Sequence, residues 1–89
     1  MTAEEQKLIH AYSELLQQVH IAMVFCTLDD LEIAEILLKS SQRAERIIKS
    51  KNPIPNKIRV FEVMTRSAQI IQDRLLAIDM LEAMNESES

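Results

Sequence analysis

Few side chains in this 89-residue chain are of types that do chemistry, and their spacing limits what they can do. His10 and His20 fall ten residues apart on one amphipathic segment. At about 100° per residue they point in different directions and cannot share a metal ion. Cys26 is the single cysteine, which excludes an intramolecular disulfide and any multi-cysteine zinc site. As a nucleophile it would need a nearby histidine and a third, orienting group, yet His20 lies nearly two turns back. Cys26 instead continues the apolar ladder of Tyr12 and Val19, the place of a small buried hydrophobe. Asp29, Asp30, Glu32 and Glu35 form an acidic cluster without loop oxygens at the spacing calcium needs, so they read as a solvated helix start. With no glycine anywhere, Gly-rich phosphate loops and dinucleotide fingerprints are excluded. The expectation is a chain with no catalytic residue, no metal and no cofactor.

Net charge is −4, which gives no generic attraction to nucleic acid. Seven of the ten basic residues nevertheless lie between positions 39 and 59, with acids before and after. Lys39, Arg43, Arg46 and Lys49 repeat at three and four spacing and form one exposed helical stripe. A nucleic-acid role would also call for net positive charge and stacking aromatics, both missing here. A solvated face, or docking to an acidic protein surface, fits what remains. The longest apolar run, Ile21 to Cys26, is far short of the roughly 20 residues of a membrane span. No basic stretch precedes an apolar one at the start, so no export signal is expected and the chain reads as cytoplasmic.

The elements that must position these residues are all helices, because the lack of glycine and the 3% aromatic content disfavour hairpins and strands. The expected fold is a single domain, residues 1–89: an all-α, three-helix antiparallel bundle made of a helical hairpin and a longer third helix. Helix one is expected over 3–26, capped by Thr2 with Glu5 three residues on. Leu8, Leu15 and Ala22, then Ile9, Leu16 and Met23, then Tyr12, Val19 and Cys26 give it three adjacent seven-residue ladders. Helix two is expected over 28–50, capped by Thr27. Its buried stripe is Ala34, Leu37, Ser41, Ala44 and Ile48, with Leu31 and Leu38 beside it, and Glu35–Lys39 and Glu45–Lys49 pair outside. Pro53 and Pro55 break the chain. Helix three is expected over 56–84 on a core stripe of Phe61, Met64, Ala68, Ile71, Leu75 and Ile78, followed by a frayed tail, 85–89.

Apolar residues are left over once this core is filled. Val63, Ile70, Ala77 and Met84 form a second ladder on helix three, about 150° round the cylinder from the first. Leu81 lies beside it, while Leu76 and Met80 point to another side, and helix three is long enough to overhang its neighbours. One reading makes the second ladder core too, since a third helix lies in a groove between two others. The other makes it a contact surface, to which adaptable Met side chains are suited. Ile21, Val24 and Phe25 form a similar surplus, best explained as end-of-helix packing.

Tyr12, Leu15 and Leu16 in Ala-Tyr-Ser-Glu-Leu-Leu, then Leu28-Asp-Asp-Leu31 with Glu35 four positions on, resemble the FliT-type export chaperones of flagellar and related type III secretion systems. In that family a Tyr-x-x-Leu-Leu-like helix precedes an aromatic-Asp-x-Leu turn; Leu28 stands where the family usually has Trp. The resemblance spans residues 8–50, and 58–82 by helical pattern. It implies a cytoplasmic chaperone that shields an aggregation-prone helical substrate against its third helix.

Together these features suggest a non-enzymatic helical protein-binding module acting as a cytoplasmic export chaperone or adaptor. Its partner would be another protein's amphipathic helix, docking on Val63, Ile70, Leu76, Ala77, Met80, Leu81 and Met84 inside a charged rim of Arg43, Arg46 and Lys49. The alternative is a small homodimeric regulator that pairs through the Val63 ladder and inhibits another factor. Neither nucleic acid nor membrane insertion is expected.

Overall fold

The computed structural model describes the backbone of residues 1–88 and the side chains of residues 1–86; of the expected frayed tail, Ser89 lies outside the described residues. Three helices account for nearly all of the chain: α1 (Ala3–Val24), α2 (Leu31–Lys49) and α3 (Ile54–Glu88). A short 3-10 turn, Leu28–Asp30, leads into α2. The all-α bundle is as expected.

Each helix starts where local chemistry satisfies its free amides. The Thr2 hydroxyl accepts from the Glu5 amide at 3.1 Å and donates to the Glu5 carboxylate at 3.2 Å. The Thr27 hydroxyl accepts from the Asp29 amide at 3.3 Å, and the Asp30 carboxylate accepts from the Thr27 amide at 2.9 Å. Thr27 thus caps the 3-10 turn, which moves the start of α2 to Leu31, three residues past the expected position. α1 likewise stops at Val24 rather than 26. α3 begins at Ile54, two residues early: the Pro53 carbonyl accepts from the amides of Asn56 and Lys57, at 3.1 and 3.2 Å. Pro55 therefore sits in the first turn, where a missing N–H costs no hydrogen bond. At the other end, helix continues through residues 85–88, expected to fray.

Two contacts fix the direction of α3. Tyr12 stacks at a tilt on Phe61, with ring centroids 5.5 Å apart, and Gln72 Nε2 donates to the Gln18 carbonyl and side-chain oxygens, at 2.9 and 2.7 Å. Both partners advance together along the chain, so α1 and α3 run parallel and α2 runs antiparallel to them. The main interface is α1 with α3; α2 packs on α1 and only lightly on α3. The core is Leu8, Leu15, Val19 and Ala22 of α1, Leu37 and Ala44 of α2, and Phe61 and Ala68 of α3. Ala44 is buried and Ala34 and Ser41 are half-buried on the inner side of α2.

Five expected apolar-face positions are exposed instead: Ile9 and Met23 on α1, Leu31 and Leu38 on α2, and Ile78 on α3. Leu31 and Leu38 lie on the solvent side of α2 because α3 scarcely covers it. Ile78 is exposed because α1 has ended by that level, leaving nothing opposite. The molecule is accordingly elongated, 58 × 21 × 16 Å.

Candidate functional site

At 1.5 Å per residue the 35 residues of α3 span about 52 Å, against about 33 Å for α1. Gln72 lies level with Gln18, so α1 has few residues left to accompany α3 beyond that point. Leu75, at 2% exposure, is the last buried residue among those described, and every side chain from Leu76 to Glu86 is exposed. Those residues are the overhang.

Phe61, Ala68 and Leu75 recur every seven residues along the buried side. Val63, Ile70, Ala77 and Met84 keep the same spacing two positions on, about 160° away round the helix. Val63 is 51%, Ile70 59% and Met84 58% exposed, and Ala77 is also exposed. Of the two readings open from sequence, core use of this ladder is therefore not what the fold makes of it. Leu76, Met80 and Leu81 are exposed around it. On the overhang Asp79, Glu82 and Glu86 continue the line of the core stripe together with Ile78, while Ala77, Met80, Leu81 and Met84 occupy the outer side. A helix whose outer face stays apolar over such a length is suited to receive another helix.

The expected charged rim borders only the Val63 end of the face. Arg43 sits with Arg59 beside Val60, Val63 and Met64, near the start of α3. Arg46 and Lys39 share a shallow hollow on α2 with Ile36 and Arg43, and Lys49 donates to Glu45 at 2.9 Å. Basic residues thus flank the Val63 end of the face, while at the Leu76–Met84 end α3 offers only Arg74, just before it. Lys57, one of the basic run, turns inward: its ammonium donates to the carbonyls of Ile48 and Ser50, at 3.1 and 2.6 Å.

Three exposed apolar residues belong to the same end of the molecule, among them Val24, expected in end-of-helix packing, and Leu31, expected beside the buried stripe of α2. Val24, Leu28 and Leu31 are exposed around the α1–α2 turn, which the antiparallel course of α2 places at the end where α3 leaves the bundle. The signal was the density of apolar residues in a connecting segment, which is ordinarily polar. At the opposite end an open groove of about 750 Å³ lies between the starts of α1 and α3, where Lys7, His10, Glu14, Glu62 and Arg66 surround Ala11.

The remaining reactive groups are quiet. The Cys26 thiol donates to the Ala22 carbonyl at 3.5 Å, and burial, then the Asp30 carboxylate, push its pKa above the ordinary thiol value. That direction is opposite to the one that activates a nucleophile. His10 and His20 are both exposed. Among the described residues no group of three or more His, Cys, Asp or Glu side chains is placed to hold a metal ion, and no helix is long and apolar enough to cross a membrane. No protein-family model matches this chain, and no curated protein and no solved structure matches it either.

Proposed function

We propose that this protein is a non-enzymatic helical binding module that takes up a partner helix along the outer face of α3. One observation carries the reading: the ladder Val63, Ile70, Ala77 and Met84, with Leu76, Met80 and Leu81, stays exposed on an unbroken helix while a complete core forms behind it. Burying a Leu or Met side chain contributes about 1.5–3 kcal/mol, so even three or four anchors drive a useful contact. Leu76, Met80, Leu81 and Met84 serve as anchors on the overhang, and Arg43 and Arg46 serve the Val63 end.

Within that class we favour a cytoplasmic export chaperone or adaptor that shields a helical substrate, the narrower role implied by the resemblance of residues 8–50. The exposed apolar turn residues Leu28 and Leu31, at the end of the bundle from which α3 projects, support it as further apolar surface for a client. The test is a photo-crosslinking residue in place of Met80, used in cells that produce the protein. A discrete protein adduct is expected, lost in the Leu81→Asp/Met84→Asp variant with its helicity and melting temperature intact. No adduct, or an adduct indifferent to both substitutions, overturns the reading.

A further inference from the structure

α1 packs against both of its neighbours, whereas α2 and α3 touch only lightly, so a furrow runs between α2 and α3. Its floor is the core itself: Val19, Leu37 and Ala68, none more than 3% exposed. Ile36 stands on the α2 wall and Met64 and Ile71 on the α3 wall, around a hollow of about 290 Å³. Ser40 and Ser67, one on each wall, are small, and the Ser67 hydroxyl donates to the Val63 carbonyl at 3.1 Å, so it demands no polar partner of an occupant. Val60 and Val63 continue the apolar wall toward the start of α3. From Val60 to Ile71 the furrow runs about 17 Å, or about three helical turns.

The charge around it is of one sign. Arg43 borders this hollow and two more, one shared with Arg59 beside Val60 and Val63, the other with Lys39 and Arg46 beside Ile36. Among the described residues no carboxylate lines any of the three, in a chain of net charge −4. Lys39 is paired with Glu35 at 3.2 Å, but Arg43, Arg46 and Arg59 form no ion pair among the described residues. On α3, Glu62 and Asp73 lie about 150–170° round the helix from the furrow. Past Ile36 and Ile71 the furrow ends between Glu32 and Arg74, one charge of each sign.

We infer that this furrow is a second docking site, separate from the outer face of α3, and that its occupant is an acidic amphipathic helix of another protein. A narrow apolar stripe on that helix fills the furrow and adds a fourth helix over α1. Carboxylates on both flanks of the stripe meet Arg43 and Arg46 on one wall and Arg59 on the other, where the guanidinium fork suits a carboxylate. Nucleic acid fits less well: the chain repels a polyanion overall, it offers no stacking aromatic here, and an apolar floor does nothing for a phosphate. Val63 alone of the apolar ladder borders both surfaces, so the two sites are occupied independently.

NMR titration of the full chain with two synthetic amphipathic peptides, alike in their leucine stripe but flanked by Glu in one and Lys in the other, tests the inference. The Glu peptide is expected to shift the amides of Ile36, Ser40, Met64, Ser67 and Ile71. At low salt it should bind at least about tenfold tighter than the Lys peptide, an advantage that shrinks as salt is added. Arg43→Glu/Arg59→Glu, at two exposed positions, should reverse the preference, and Leu81→Asp/Met84→Asp should leave it unchanged. Equal affinity for the two peptides overturns the inference, as does the absence of shifts at roughly 1 mM Glu peptide, the weak end of specific association. Shifts confined to residues 76–84 also overturn it, while leaving the outer face as the docking surface. Vesicles containing phosphatidylglycerol, or duplex DNA, that shift the furrow amides more strongly than the Glu peptide would make it a polyanion site and overturn it too. The adduct expected from position 80 is read separately, so either surface can fail without the other.

Discussion

The ammonium of Lys57, in the first turn of α3, stands 2.6 Å from the carbonyl oxygen of Ser50 and 3.1 Å from that of Ile48. It closes the end of α2, where helix carbonyls lack amide partners, and it is only 7% exposed. A cation at that end also meets the negative pole of the helix. One side chain thereby ties the second helix to the third, which otherwise touch lightly.

Lys57→Met should therefore destabilise the fold by about 1.5–3 kcal/mol, the range for hydrogen bonds to a charged group. Urea unfolding measures it. Lys51→Met, on an exposed neighbouring lysine, should change stability by less than about 0.5 kcal/mol. Equal effects would mean that Lys57 is an ordinary surface charge.

Leu75 and Leu76 are adjacent in sequence but differ in exposure, 2% against 44%. Leu75→Ala should cost about 2–5 kcal/mol through lost burial and the cavity left behind. Leu76→Ala should cost under about 1 kcal/mol in the monomer. Thermal melts of the two variants at low protein concentration distinguish them, and a reversal of the order would place the end of the core in the wrong turn.

Cys26 should react slowly. With its pKa raised by burial and then by Asp30, and its proton directed at the Ala22 carbonyl, little thiolate is present near neutrality. Alkylation of the folded protein at pH 8 should run at least about tenfold slower than in urea-unfolded chain. Stability linked to this thiol is fully present below its unfolded pKa and falls as pH rises through that value toward the higher folded one. Rapid labelling of the folded state would reopen a reactive role.

The Glu45 carboxyl is held below its ordinary range by the hydrogen bond from Lys49 and then by the charge of Lys49. Its folded pKa lies below the unfolded value of about 4.3, so its contribution is complete above that pH and is lost as pH falls through the folded pKa. Lys49→Met should return the Glu45 carbon resonance to a higher titration midpoint in NMR. An unmoved midpoint would show that the pair does not form in solution.

Much of this architecture was legible in the residues. The ladders Leu8–Leu15–Ala22 and Phe61–Ala68–Leu75 announce helices because seven residues return nearly to the same face, and Thr2 and Thr27 mark starts through their hydroxyls. The surplus ladder on α3 was legible for the same reason. What stayed hidden depends on how far one helix accompanies another. Ile78 has the spacing of a core residue, yet α1 stops short of it. Leu31 and Leu38 have apolar neighbours in sequence, but α3 covers α2 too little to bury them. Lys57 reads as part of a basic surface run until the fold brings the end of α2 against it. Arg43 and Arg46 are exposed as expected, but whether they border the overhang is a matter of tertiary distance: Arg43 stands beside the Val63 end instead, and Arg46 shares a hollow with it on α2.

The most direct test is the unfolding free energy of a dilute, monomeric variant whose outer face is made polar by Val63→Gln, Ile70→Gln, Leu76→Gln, Met80→Gln, Leu81→Gln and Met84→Gln together. If these side chains serve contact with another molecule rather than the fold, stability should stay within about 1–2 kcal/mol of the parent measured as a monomer, as for surface substitutions. A loss of more than about 5 kcal/mol, the scale of core truncation, would show that the face belongs to the core and leaves nothing for a partner.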